Sequence, residues 1–164
     1  MKKTVSQTEV IMHQLVLPND ANLLGNVLGG RVMHLMDVCA AMSAYRHART
    51  PVVTASVDHL DFLAPAKVGD ILILKSSVNY TGKTSMEVGV RIEAESPLTS
   101  SITHTASAFL TFVSLVNNKP TKIKSIVPET EDQKRRFIDG EKRSEERKKR
   151  LIEIRKKYSA KNNR

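Results

Sequence analysis

The feature that most constrains this chain is the segment GGRVMHLMDVCAAMSAYRHAR, which opens on Gly29-Gly30 and is broken by Thr50-Pro51. It reads as about 19 residues of helix. Its apolar residues, Val32, Met33, Leu35, Met36, Val38, Cys39, Ala40, Ala41 and Met42, go almost all the way round the axis. A helix apolar on every side has to be buried, so the rest of the chain must supply its cover. One acid, Asp37, sits in the middle of it.

That cover reads as β-structure. Residues 5–17 alternate loosely as a strand and stop at the turn signal Pro18-Asn19-Asp20, and residues 19–28 form a loop. After Pro51 come four strand-like segments, 52–64, 70–81, 84–95 and 101–116. The third alternates cleanly, with Met86, Val88, Val90, Ile92 and Ala94 on one face and Glu87, Arg91, Glu93 and Glu95 on the other. Turns at 80–83 and 96–100 suit hairpins, so the sheet is expected to be mostly antiparallel. From Glu129 onward a charged stretch fits a solvated helix with many i,i+4 partners. The expected fold is α+β, one sheet of five or so strands wrapped around one long helix. Such a sheet cannot cover so apolar a helix completely, so a second subunit is expected.

A length of 164 residues suits one domain with a real core. The division expected is 1–128 for the globular unit and 129–164 for a basic helical extension. A single cysteine, Cys39, excludes an intrachain disulfide and fits a reducing compartment. No apolar run reaches about 18 residues, so no membrane span is expected. MKKTVSQTEV has no apolar block behind its lysines and is not a secretory signal. A soluble cytoplasmic protein is the expectation. The net charge is +9, and from Glu129 on there are 14 Lys/Arg against 8 Asp/Glu, so most of the excess belongs to the tail. A basic surface attracts nucleic acid, anionic membrane or a phosphate-rich ligand, and charge alone does not choose among them. Phe137 and Tyr158 are the tail's only rings, which argues against nucleic acid.

Asp37 is the first candidate for chemistry. A buried carboxylate is costly and shifts toward the neutral form, which suits a general base, whereas an ion pair with Arg31 or His34 makes it structural. Gly29-Gly30 lets a ligand approach the first helical N–H groups, which could stabilise an oxyanion. Gly29 and Asp37 are eight residues apart, about 12 Å along a helix. A base and an oxyanion donor must both lie about 3 Å from one reacting centre, so one copy of the helix cannot supply both. A site using both has to lie across a dimer interface. Asn22, just upstream, can donate to and accept from a water, although loop asparagines mostly make local turns. No Ser-His-Asp order, GxSxG motif or metal-spaced His/Cys cluster is present, and no metal is expected.

NLLGNVLGGRVMHLMD, residues 22–37, resembles the N-x-x-G-x-x-x-G-G-x-x-x-x-x-x-D signature of the hotdog-fold acyl-CoA thioesterases, the brain acyl-CoA hydrolase and YciA-type group. Residues 52–72, 82–95 and 129–150 are similar to its following segments, so the likeness spans nearly the whole chain. It implies a hotdog fold and hydrolysis of fatty acyl-CoA, with Asp37 as general base or nucleophile and Asn22 holding the water and carbonyl. Gly29 and Gly30 match the oxyanion-donating glycines, and Thr54 matches a small polar position near the thioester. Lys83, Thr84 and Ser85 fall in a hairpin expected to touch the nucleotide. The resemblance implies a homodimer at least, commonly a trimer of dimers, and no cofactor, since coenzyme A is part of substrate and product. Arg31-Val32 departs from the family, where an apolar or aromatic residue often follows the glycines. The competing reading is a non-catalytic acyl-CoA-sensing module that acts through its basic tail.

Overall fold

Helix α1 (Gly29–Ala48) buries one side only. In this computed structural model, which describes residues 3–162, Val32, Leu35, Met36, Cys39, Ala40, Ser43, Ala44 and His47 form a buried i, i+3, i+4, i+7 stripe. Met33, Val38, Met42 and Tyr45 remain exposed at 37–48% on the other side. One chain therefore covers half of what an all-apolar helix needs. The helix ends where Arg49 turns left-handed at φ 57°. Lys3 Nζ then donates to the carbonyls of Arg46 and His47, at 2.5 and 2.7 Å, satisfying the helix C-terminus with a cation.

The remaining elements are strands β1 (Lys3–Thr4), β2 (Val10–Leu15), β3 (Val52–Phe62), β4 (Ile71–Thr81), β5 (Ser85–Glu95), β6 (Ile102–Val116), β7 (Lys119–Pro120) and β8 (Ile126–Val127), and helix α2 (Glu131–Asn162). The main sheet runs β2-β4-β5-β6-β3, all antiparallel, with β7 added to β6. Its inner side chains, among them Leu72, Leu74, Val88, Val90, Ile92, Leu110 and Phe112, share one core with the α1 stripe. This is the α+β hotdog arrangement, a curled antiparallel sheet on one long helix. The four long strands, β3 to β6, lie within two residues of their expected limits. The expected first strand, 5–17, resolves into a short helical turn at Ser6–Thr8 followed by β2. The β1–β8 pair is parallel and was not legible, because two-residue strands carry no periodicity.

The charged C-terminal helix differs from the solvated one expected. It starts on a reciprocal cap, with Gln133 N–H donating to Thr130 Oγ1 and Gln133 Oε1 accepting from Thr130 N–H. It then lies across the outer face of the sheet. Phe137 meets Tyr80 edge-to-face with centroids 5.2 Å apart. Arg143 forks onto Glu87 at 2.7 and 2.9 Å and stacks 3.8 Å from the centre of the Phe109 ring. Arg147 reaches Asp58 at 2.6 Å, and Asp58 also accepts from Ser56 and Thr111 at 2.7 and 2.8 Å. Close approach is needed at Gly140, where a Cβ would stand 2.9 Å from Tyr80 Cβ and 3.0 Å from Glu87 Oε1. Glu87, on the polar face of the alternating strand, is thus buried. Residues 1–2 and 163–164, the outer ends of the two expected regions, lie outside the described residues.

Two outcomes follow from this docking. Arg143→Ala leaves the Glu87 carboxylate buried without its cation and is expected to cost about 2–3 kcal/mol in urea unfolding. Glu87→Gln with Arg143→Met removes both charges and should cost no more than about 1 kcal/mol; equal losses for the two variants would contradict the charge-pair account.

For Asp58, burial alone would raise the carboxyl. The hydrogen bonds from Ser56 and Thr111 and the Arg147 charge outweigh it and hold the carboxyl below its ordinary value. Its stabilisation is therefore present above the unfolded carboxyl's value of about 3.9 and fades as pH falls through the lower folded one. The stability gap between the native chain and Asp58→Asn should be constant from about pH 7 to 5 and shrink below about pH 4. A gap that widens in acid would contradict this.

Candidate active site

The loop before α1 is pinned from both ends. Asp20 accepts the Leu17 N–H at 3.3 Å, its backbone carbonyl accepts the Leu28 N–H at 2.8 Å, and its carboxylate stands 2.9 Å from Arg31 Nε as an ion pair. Arg31 is therefore committed to Asp20 and not to Asp37. Gly25, at φ 76°, makes the left-handed turn that lets the loop double back. Asn22 Oδ1 accepts the N–H groups of Leu24 and Asn26 at 2.9 and 3.2 Å. The expected water-holding amide thus has its acceptor spent on the loop, which leaves its NH2 as the group able to donate.

This loop, the first turn of α1 and the end of β3 enclose a cavity of about 390 Å³. Asn22, Gly29, Val32, Phe62, Leu63 and Thr105 line it. No side chain caps α1, so its leading N–H groups are the unfilled donors of a helix start. Phe62 lies against the helix start, where a Cβ at Gly29 would meet its ring at an ordinary van der Waals distance of 3.6 Å. Phe62 and Val32 are site residues that motif reading missed. The signal for Phe62 was its place in the inward set of β3, opposite Ala106.

Asp37 stands two turns further along α1 and is half-buried. Thr54 Oγ1 donates to Asp37 Oδ1 at 2.6 Å. Thr54 is an inward residue of β3, opposite Phe112 and next to a bulge before Ser56, so the edge strand itself holds the carboxylate. Within one chain the candidates therefore fall into separate groups. Asn22 and Gly29 share the cavity with Gly30 beside them, Asp37 and Thr54 share a hydrogen bond, and the two groups are about 12 Å apart along α1. Lys83, Thr84 and Ser85 form the β4–β5 hairpin. Ser85 sits in the register row next to that of Thr54, two strands across, or about 10 Å.

Other polar groups do not join the site. Burial pushes the Cys39 thiol up, opposite to an activated nucleophile, despite its contact with Ser76 at 3.2 Å. Burial lowers His47, whose Nε2 is 2.8 Å from the Lys124 carbonyl. A larger cavity, about 450 Å³, lies on the outer face beside α2 and contains none of the candidate residues. Its cations Lys75, Arg91, Arg135, Arg136 and Arg143 are all paired to carboxylates.

This geometry can be set beside known proteins. The thioesterase superfamily model matches residues 24–101. YkhA of Bacillus subtilis, an uncharacterized acyl-CoA thioester hydrolase, is 39% identical over 145 residues, which cover 88% of this chain and 84% of that one. An acyl-CoA hydrolase from Staphylococcus aureus, solved with butyryl coenzyme A and coenzyme A, superposes with a TM-score of 0.90 at 35% identity, covering 98% of both chains. That hydrolase has also been solved with single alanine replacements of an aspartate, a threonine and an asparagine, the last with coenzyme A bound. A hexameric acyl-CoA thioesterase in apo form is 42% identical, with a TM-score of 0.88 over 92% of this chain and 98% of that one. Fold, signature segment and near-complete coverage agree, and the chain belongs to the hotdog thioesterase superfamily, alongside the acyl-CoA thioester hydrolases.

Proposed function

We propose that this protein hydrolyses fatty acyl-CoA to a free acid and coenzyme A, in sites shared between two copies of the chain. The observation that carries the reading is the Thr54–Asp37 hydrogen bond at the sheet edge, set against a glycine-opened helix start about 12 Å away. The Thr54 donor fixes one carboxylate oxygen and leaves the other to take a proton. Water gives that proton to Asp37 as its oxygen bonds to the thioester carbon. The negative charge moves onto the carbonyl oxygen, where the N–H groups at Gly29 and Gly30 and the Asn22 amide stabilise it. The C–S bond then breaks, and the proton passes from Asp37 to the leaving sulfur. Direct attack by the carboxylate, giving an anhydride that water opens, uses the same groups.

Two copies paired along β3 bring the groups together. β3 pairs only with β6 among the described strands, and its free edge is 11 residues long, with Val53, Val57 and Phe62 exposed. Such an edge beside the uncovered α1 residues Met33, Val38 and Met42 is an association surface. Each copy then gives Asp37 and Thr54 to one site, and Asn22, Gly29 and Gly30 to the other. Lys83, Thr84 and Ser85 offer a cation and hydroxyls to the phosphates of the nucleotide. Residues 1–128 form the catalytic unit and 129–164 its docked extension, in a cytoplasmic homodimer that assembles further into a trimer of dimers. In support, the alanine-replaced residues of the Staphylococcus aureus hydrolase have the residue types and chain spacing of Asp37, Thr54 and Asn22, and its asparagine variant binds coenzyme A. The sensor alternative loses ground because Arg143 and Arg147 of the tail are held by Glu87 and Asp58.

The test is turnover across acyl-CoAs from acetyl to palmitoyl. Asp37→Ala is expected to lower kcat by about 10³-fold with the thermal midpoint little changed, and Thr54→Val by about tenfold with KM unchanged. Full turnover by Asp37→Ala, or none by the native chain on any acyl-CoA, would overturn the reading.

A further inference from the structure

Helix α2 is longer than the sheet it lies on. It crosses Tyr80 on β4, Glu87 on β5, Phe109 on β6 and Asp58 on β3, and by Arg150, 3.4 Å from Asp58, it has reached the edge strand. Twelve residues, 151–162, remain, about 18 Å of helix or nearly four strand spacings. The docked face is Phe137, Gly140, Ser144 and Arg147. Continued at the same helical spacing, that face becomes Leu151, Ile154 and Tyr158, which stand 42%, 41% and 67% exposed. The overhang thus keeps the apolar stripe of a docked helix and aims it past β3, where this chain has no more sheet.

We infer that a second copy of this chain fills that space: the α2 overhang crosses the β3 seam and packs on the outer face of the neighbouring sheet. The inference rests on the β3 pairing of the reading above. Antiparallel pairing of two β3 edges continues the sheet, so the outer face runs on unbroken beneath the overhang. What it meets there is complementary. The outward residues of β3 include exposed Val53, His59 and Asp61. The overhang's stripe is flanked by cations, and residues 148–158 hold six Lys/Arg against the single acid Glu153. Direction favours a second copy over a lipid surface: the stripe faces the plane of the sheet, so a membrane would have to occupy the space into which the sheet extends.

The test places a photo-cross-linking benzoylphenylalanine at position 158 of the full-length chain and mixes isotopically light and heavy copies. Position 158 is eight residues, about 12 Å, past Arg150 and so beyond the neighbour's β3, and cross-links between light and heavy chains landing on the outer faces of the neighbour's β6 and β5 are expected. In sedimentation, Leu151→Asp with Ile154→Asp should raise the dissociation constant of the assembly at least tenfold, with helicity and assembled-state turnover kept. Cross-links confined to one chain, an unchanged dissociation constant, or loss of phosphatidylserine-vesicle binding in place of loss of association would each overturn the brace while leaving the β3 seam standing. A native chain that sediments as a monomer at micromolar concentration would remove both.

Discussion

One-sided burial of α1 is the constraint on which the rest depends. The stripe from Val32 to His47 fills the hollow of the sheet, and the packing around it is tight enough that Leu72, Leu74, Ile92 and Phe112 have almost no accessible surface. A helix held on that face has to present Asp37, Met33, Val38 and Met42 on the other. The edge strand lies along that uncovered side, and Thr54 closes the arrangement by bonding Asp37. The acid in the apolar helix is therefore neither buried in the core nor left to solvent, and it stands at the boundary where the chain has run out of its own cover.

On the proposed reading, the helix axis converts this constraint into a symmetry requirement. Glycine at the helix start and aspartate two turns on are at a fixed separation that no rotamer can shorten to the reach of one reacting carbon. The proposed association through β3 would answer two deficits at once, pairing an exposed strand edge and delivering the groups each copy lacks. The overhanging end of α2 follows the same logic on the outer face, where the docked stripe continues beyond the strand that ends this sheet.

Much of the fold was legible because its signals are local. Met86, Val88, Val90, Ile92 and Ala94 alternate, hairpin turns flank them, and Pro51 separates helix from strands. The site was partly legible because an acid within an apolar helix and a glycine pair at its start are departures from pattern. What stayed hidden depends on partners far along the chain. Glu87 occupies a position that period-two reading assigns to the polar face, and nothing near it shows that Arg143, 56 residues later, covers it. Asp58 is outward because a bulge shifts the register between Thr54 and Ser56, so that strict alternation from Thr54 would have placed it inward. Asn22 looked free to hold a water, but its Oδ1 is taken by Leu24 and Asn26, a choice made by loop geometry. The helix that appeared apolar on every side is covered on one, because one sheet has only one concave face.

The central claim is that Asn22 and Asp37 act on the same thioester from different copies. Complementation tests it most directly. Asn22→Ala and Asp37→Ala chains, each expected to be inactive, are unfolded together, refolded as a mixture and assayed on the best acyl-CoA substrate. Shared sites predict that mixed dimers carry one intact site each, so the mixture recovers roughly a quarter of native turnover while either variant alone recovers none. A mixture as inactive as its two components, in dimers shown to have exchanged subunits, would place both residues in one chain's site and contradict the account.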